Sequence, residues 1–212
     1  MTPVISRRSI VVSAGATLLV GVLSGCGALP VGKPPPQLYT LTPKSTFPDD
    51  LPYADWQLGV DRPTSPAGLS TARIAVAKQL FTLDYYAGVQ WIDDAPNMVQ
   101  RLLIESFENS NRIVGVGRES VGLRSNFVLK TELREFQAEY LDGASLPTVR
   151  VRLNAKLVKM PQRYIIASTT GERTIAAADN RMETIIRAFD DALGKALRDI
   201  VVWTLTRPET RG

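Results

Sequence analysis

The sequence predicts an α+β domain: an antiparallel-rich mixed sheet with a mid-chain helix and a long C-terminal helix packed on one face. Three observations carry this expectation. Residues 126–160 hold two long runs in which apolar and polar side chains alternate with a period of two, as half-buried strands do. Residues 182–205 repeat apolar side chains at helical spacing, which gives one wide buried stripe. The order of elements is short strands, a helix, long strands and a final helix, an α+β order.

The elements follow in turn. QLYTLT (Gln37 to Thr42), WQLGV (Trp56 to Val60) and ARIAVA (Ala72 to Ala77) read as short strands. Loops rich in Pro, Asp and other turn formers separate them. FTLDYYAGVQW (Phe81 to Trp91) reads as a hairpin or bent strand pair turning near Ala87-Gly88. A helix comes next, capped by Asp93 or Asp94, with Pro96 in its first turn. Its apolar face is Met98, Val99, Leu102, Leu103, Ser106 and Phe107. RIVGVG is a short strand, and VGVG (Val114 to Gly117) within it, which does not match G-x-G-x-x-G, reads as a turn at the strand's end.

Three long strands then form an antiparallel meander. In NFVLKTELREFQAEY, Phe127, Leu129, Thr131 and Leu133 share a face, and the apolar phase then slips to Phe136, Ala138 and Tyr140. A one-residue slip in a period-two pattern predicts a bulge near Arg134-Glu135. A turn at Asp142-Gly143 leads into TVRVRLNAKLVKM, whose inward row is Val149, Val151, Leu153, Ala155 and Leu157. RYIIASTTGERTIAA is the third strand. The last helix spans Met182 to Leu205, with Asn180 as its expected cap and Pro208 as its stop. Residues 207–212 are expected to be a frayed tail.

Composition narrows the chemistry. The chain of 212 residues has 44% hydrophobic and 22% charged residues, a soluble globular balance. It has no histidine and one cysteine, Cys26. That removes the usual general base, a Cys/His zinc site and an internal disulfide. No G-x-S-x-G elbow or P-loop occurs. The three Asp-Asp pairs (Asp49-Asp50, Asp93-Asp94, Asp190-Asp191) read as loop, helix cap and solvent face, because neighbouring side chains on a helix or strand diverge. The expectation is a chain with no catalytic residues, no metal and no cofactor.

The N-terminus explains the single cysteine. Arg7 and Arg8 precede an apolar stretch from Ile10 to Leu23, short for a membrane span and of the length of a signal-peptide core. Leu-Ser-Gly-Cys (Leu23 to Cys26) resembles the bacterial lipobox, which implies a diacylglycerol on the Cys26 sulfur, cleavage before it and acylation of the new amino group. Several acyl chains, at about 0.8 kcal/mol per buried CH2, hold a chain stably in a bilayer. SRRSI also resembles a twin-arginine export signal, although ordinary secretory signals carry paired arginines too. Gly27 in place of Asp implies, by resemblance to Gram-negative lipoproteins, the outer membrane.

Residues 1–25 are thus read as a lipoprotein signal peptide, 26–36 as the lipidated cysteine and a Pro-rich tether (GALPVGKPPP), and 37–206 as the domain. The full chain has 25 Lys+Arg against 21 Asp+Glu; cleavage removes Arg7 and Arg8 and no acids, which leaves 23 against 21, or +2. No nucleic-acid partner is expected at that balance. One local excess stands out: Lys130, Arg134, Arg150, Arg152 and Lys156, with Glu132 and Asn154, fall on the outward parity of the meander. Such a face is either a solvated strand surface protected against aggregation or a docking surface for an acidic partner or lipid headgroups.

Taken together, these segments resemble the ABC-type transport auxiliary lipoproteins, of the PqiC kind. The likeness rests on the lipobox and tether, YTL, LGVDRPTSPAGLSTARIAV, LDYYAGVQWIDDAPNMVQRLL and AFDDALGKALRDIVVW, and it covers Tyr39 to Trp203. Asp93 matches the acidic position after the tryptophan of the middle motif, and Ile92 stands where a small residue is usual. The resemblance implies a non-enzymatic, lipid-anchored component, facing the periplasm, of an ABC or MCE-type system that moves lipids or other hydrophobic molecules between membranes. Its implied partners are an MCE-domain protein and an ABC permease and ATPase, and such an accessory can also form a homo-oligomer. Only Cys26 takes a defined role from the family. A second class suits the same residues: a structural or assembly lipoprotein, a plug or chaperone of another outer-membrane machine.

Overall fold

The computed structural model describes residues 34–119 and 124–210. Residues 1–33, which hold the expected signal peptide, Cys26 and most of the expected tether, lie outside the described residues. Eight strands and two helices follow: β1 (Gln37–Tyr39), β2 (Ala54–Val60), β3 (Arg73–Ala77), β4 (Asp84–Trp91), α1 (Ala95–Ser110), β5 (Ile113–Arg118), β6 (Phe127–Glu139), β7 (Thr148–Lys159), β8 (Tyr164–Ala176) and α2 (Met182–Leu205). The expected α+β fold is the one found: a mixed eight-stranded sheet with α2 packed on β7 and β8, and α1 on β5 and α2.

β6 organises the sheet. β7 pairs antiparallel along it from Phe127↔Lys159 to Glu139↔Thr148, and β8 continues the meander. The opposite edge of β6 is shared end to end. β2 lies parallel to its first residues (Leu58↔Phe127) and β3 parallel to its last (Ala75↔Gln137). β5 extends the sheet beyond β2, and β4 and β1 extend it beyond β3. The register slips between Leu133 and Glu135, where the apolar phase predicted a bulge. Leu129, Leu133, Phe136, Val149, Val151, Leu153, Ala155 and Leu157 are all buried toward the helices.

The α2 stripe closes this core, with Ile185, Phe189, Leu193, Leu197 and Ile200 among its buried residues. Trp91, Phe136 and Phe189 form an aromatic cluster joining β4, β6 and α2, with ring centroids 5.1 to 5.5 Å apart. β8 approaches α2 closely at Gly171, where a Cβ would stand 3.1 Å from the Ala196 carbonyl oxygen. A side chain there would push helix from sheet.

α1 starts as its sequence predicts. Asp94 caps it by accepting the Asn97 N–H at 2.9 Å, and Pro96 occupies the first turn. Its expected apolar face, from Met98 to Phe107, is buried.

Five local expectations are corrected. The Phe81–Trp91 segment is not a hairpin: β4 is one strand, antiparallel to β3. Gly88 takes φ +71°, and the register steps from Gln90 to Tyr85 against Arg73 to Ala75, so extra β4 residues are absorbed in a bulge rather than a turn. The VGVG residues lie inside β5, not in a turn, because β2 supplies a parallel partner for them. β1 ends at Tyr39 rather than Thr42, since Thr42 leaves the sheet for α2, where its N–H and hydroxyl donate to Asp190 at 2.7 and 2.9 Å.

Asn180 does not cap α2. Its side chain accepts from the Tyr140 hydroxyl and donates to the Ser145 carbonyl, both at 2.9 Å, which ties it to the β6–β7 connection. Arg181 holds the cap position, with no side-chain cap bond. Finally, the chain beyond α2 does not fray at once. Pro208–Thr210 makes a 3-10 turn, and Thr210 is buried.

Candidate functional site

The outward face of β6–β8 is where the sequence concentrates its cations. The structure brings all five to one face, and register explains how. Lys130 stands opposite Lys156, Glu132 opposite Asn154, Glu135 opposite Arg152 and Gln137 opposite Arg150. The expected excess of positive charge is corrected, however. Lys130 reaches Asp61 beyond β2 at 2.6 Å, and Arg134 pairs with Glu132 at 2.7 Å. Arg150 bridges Glu139 at 3.3 Å and Glu172 of β8 at 3.1 Å. Arg152 meets Glu135 at 3.1 Å. With the described residues Lys156 forms no ion pair, and the five cations stand among five carboxylates.

Two of these pairs are more than surface decoration. The Glu139 side chain is only 10% exposed, so it depends on Arg150 for its charge balance. Partial burial pulls the Arg150 guanidinium down, but the charge and hydrogen bonds of Glu139, with help from Glu135 and Glu172, outweigh it and hold the group above its ordinary value. The facing atoms of Arg152 and Glu135 are shielded from water yet aligned too poorly for a hydrogen bond, so that pair is held by charge alone.

The acids had a signal in the sequence. The phase slip at Arg134-Glu135 that turns Phe136 and Ala138 inward also turns Glu135, Gln137 and Glu139 outward. A charge count that followed the slip would have found two of the five partners. Glu172 lies on the third strand of the meander, opposite Arg152, whereas Asp61 arrives from beyond β2 through tertiary pairing alone.

The Asp-Asp pairs do not converge. Asp94 caps α1 and binds Arg62 at 2.9 Å; Asp190 holds Thr42; Asp191 pairs with Lys195 at 2.8 Å; Asp49 and Asp50 lie in a turn. The carboxylates of Asp93, Asp94, Asp190 and Asp191 are each occupied locally, an arrangement suited to structure rather than to acid–base work.

A second surface went unread in the sequence. The β3–β4 connection carries Leu80, Phe81 and Leu83, which are 63%, 104% and 40% exposed. Phe81 takes φ +67°, a region that a bulky residue rarely enters. The base of this tip is braced. The Thr82 hydroxyl donates to the Gln79 carbonyl at 3.0 Å, the Tyr85 hydroxyl donates to the Gly68 carbonyl at 3.0 Å, and the Arg73 guanidinium lies 3.5 Å from the Tyr85 ring centre. Beside it runs an open groove of about 300 Å³ bordered by Pro66, Leu69 and Leu141 and, on the β6 side, by Arg134, Gln137 and Glu139. The available signal was three apolar residues in a strand connection, where polar residues are usual.

Comparison with known proteins places this architecture. The crystal structure of a Xanthomonas campestris protein superposes with a TM-score of 0.75 at 30% identity, covering 80% of this chain and 94% of that one. A second crystal structure, of an uncharacterised protein, shares the fold at a TM-score of 0.63 and 12% identity, covering 81% of this chain and 99% of the other. A curated relative from Bradyrhizobium diazoefficiens, itself uncharacterised, is 27% identical over 190 residues, 88% of this chain. This chain spans half the length of that relative. Residues 39–201 match the ABC-type transport auxiliary lipoprotein component family from the first strand into the last turns of α2, and the chain belongs to that family.

Proposed function

We propose that the chain is a non-enzymatic, lipid-anchored accessory of an ABC/MCE-type system that carries lipids or other hydrophobic compounds between the two membranes of a Gram-negative envelope. The observation that carries this reading is the family match over residues 39–201. In this reading Cys26 bears the acyl chains and holds the chain in the outer membrane, with the domain in the periplasm. The domain takes no cofactor. It acts by position: it meets the MCE-domain protein of a system powered by an ABC permease and ATPase.

The mixed-charge face of β6–β8 is suited to such a contact through directed hydrogen bonds and matched charges. With as many carboxylates as cations, it is poorly suited to long-range steering of an acidic partner.

The test is in the envelope. An epitope-tagged full chain, crosslinked in cells and purified, is expected to bring down an MCE-domain protein and its ABC permease. Deletion of the gene is expected to raise sensitivity to detergent, with rescue by the wild-type chain and not by Cys26→Ala. Mass spectrometry of the mature N-terminus should find acylated Cys26. Recovery of an outer-membrane secretion or assembly machine in place of the transporter, with no envelope defect, would replace the reading.

A further inference from the structure

We propose that the β3–β4 tip, Leu80, Phe81 and Leu83, seats in the surface of the bilayer that holds the acylated end of the chain. The proposal rests on the reading of Cys26 as the lipid anchor.

The tip is built to project. Phe81 has nothing over it, and Leu80 is mostly open. Their backbone is nevertheless held: the turn closes on the Gln79 carbonyl, and Leu83 packs so tightly on Gly68 that a Cβ there would come within 2.8 Å of it. An aromatic residue kept at positive φ on a braced base is strain retained at an exposed point, a pattern found at functional sites.

Topology sets which way it points. β1 runs parallel to β4, with Gln37 opposite Val89. The chain before Gln37 therefore arrives from the end of the sheet at which β4 begins, immediately after Leu83. The β6–β7 connection, with exposed Leu146, lies at this same end, because β6 finishes there alongside β3. From Cys26 to Pro34 is eight residue steps, at most about 30 Å of extended chain. The 13 residues of β6 alone extend about 40 Å. A tether that short, entering at this end, favours presenting the tip to the membrane rather than the far end of the sheet.

The shape of the tip selects the occupant. Two projecting side chains and a half-exposed Leu83 bury far less than the roughly 800 Å² per partner of a stable protein interface. A bilayer surface accepts projecting apolar groups without a complementary pocket. Anchoring by acyl chains also holds the tip at high local concentration beside the lipid, so a few apolar contacts suffice to seat it.

The experiment uses the full acylated chain carrying Phe81→Cys or, at the opposite end of the sheet, Tyr164→Cys. With Cys26 consumed as a thioether, each variant offers one thiol to an environment-sensitive nitrobenzoxadiazole label and the wild type offers none. The labelled chains are reconstituted into phosphatidylethanolamine and phosphatidylglycerol vesicles. The expected result is a blue-shifted emission at position 81, quenched by lipids brominated on their acyl chains, and neither effect at position 164. One label per chain with no quenching at 81 overturns the tip's role and leaves the anchor standing. A wild-type chain that takes up label shows a free Cys26, and the anchor reading falls together with this proposal. A blue shift at 81 that grows with the protein-to-lipid ratio and is not quenched by the brominated lipids assigns the tip to a second copy of the chain and likewise overturns it.

Discussion

Phe189→Ala tests whether α2 is the lid of the core or a helix that could lie on a membrane. Phe189 is fully buried and touches rings from two distant elements: Trp91 of β4 at 5.2 Å and 82°, and Phe136 of β6 at 5.1 Å and 61°. Truncating a buried Phe costs about 3–5 kcal/mol, and edge-on ring pairs contribute about 0.5–1.5 kcal/mol beyond burial. Two such pairs put the expected loss near the top of that range, about 5 kcal/mol. A domain of this size loses about 2–4 °C in Tm per kcal/mol, so Tm should fall by about 10–20 °C. Unfolding should be followed by heat and by urea, with near-ultraviolet circular dichroism to report Trp91 packing, and Phe189→Leu should lose less. The outer face of α2 argues the same way, because Asp190 holds Thr42 and Asp191 pairs with Lys195, a mixture of signs tied to the protein itself. An unchanged Tm for a correctly folded Phe189→Ala would show that α2 is not part of the core.

Two further predictions address charge. Arg150→Ala leaves Glu139 nearly buried without its partner and should cost about 1–3 kcal/mol, read as a lower urea midpoint; adding Glu139→Gln should restore part of it, and an unchanged midpoint in the single variant would show the pair to be superficial. Asp179, just before α2, is held down to about 2 by the Arg181 side chain first, then by the Arg181 N–H and the Thr184 hydroxyl. Its folded value is depressed, so its contribution to stability is fully present above its ordinary 3.8 and is lost as pH falls through about 2. Carboxyl-carbon NMR should find that midpoint, and Arg181→Ala should return it toward the ordinary value.

The parts of the fold legible in the sequence are those fixed by local period. The alternation of β6 and β7, the bulge at Leu133–Glu135 and the full span of α2 each depend on neighbours a few residues away, and each is found where the pattern puts it. What depends on distant partners was not legible. Parallel pairing of β2 with β5 makes a strand of a glycine-rich segment that reads as a turn. Asn180 is a good cap by type, but Tyr140 and Ser145 compete for its side chain and win. The candidate face shows both sides of this. Its cations are visible by parity and Glu172 sits on the strand that the meander places beside them, whereas Asp61 comes from an element that no local rule connects to it.

The shared edge of β6 has a consequence for how the chain comes to be folded. β2 with β5, and β3 with β4 and β1, are two separate strips whose strand pairing, among the described residues, meets only on β6. Both strips are complete in sequence by Arg118, yet the strand that joins them does not begin until Phe127 and must run to Glu139 before both are held. A chain delivered from its N-terminus, at a ribosome or across a membrane, therefore reaches more than half its length with the sheet still in pieces. Pairings this far apart in sequence close slowly. The same geometry that joins the finished sheet through one strand keeps its leading half open while the rest is still arriving.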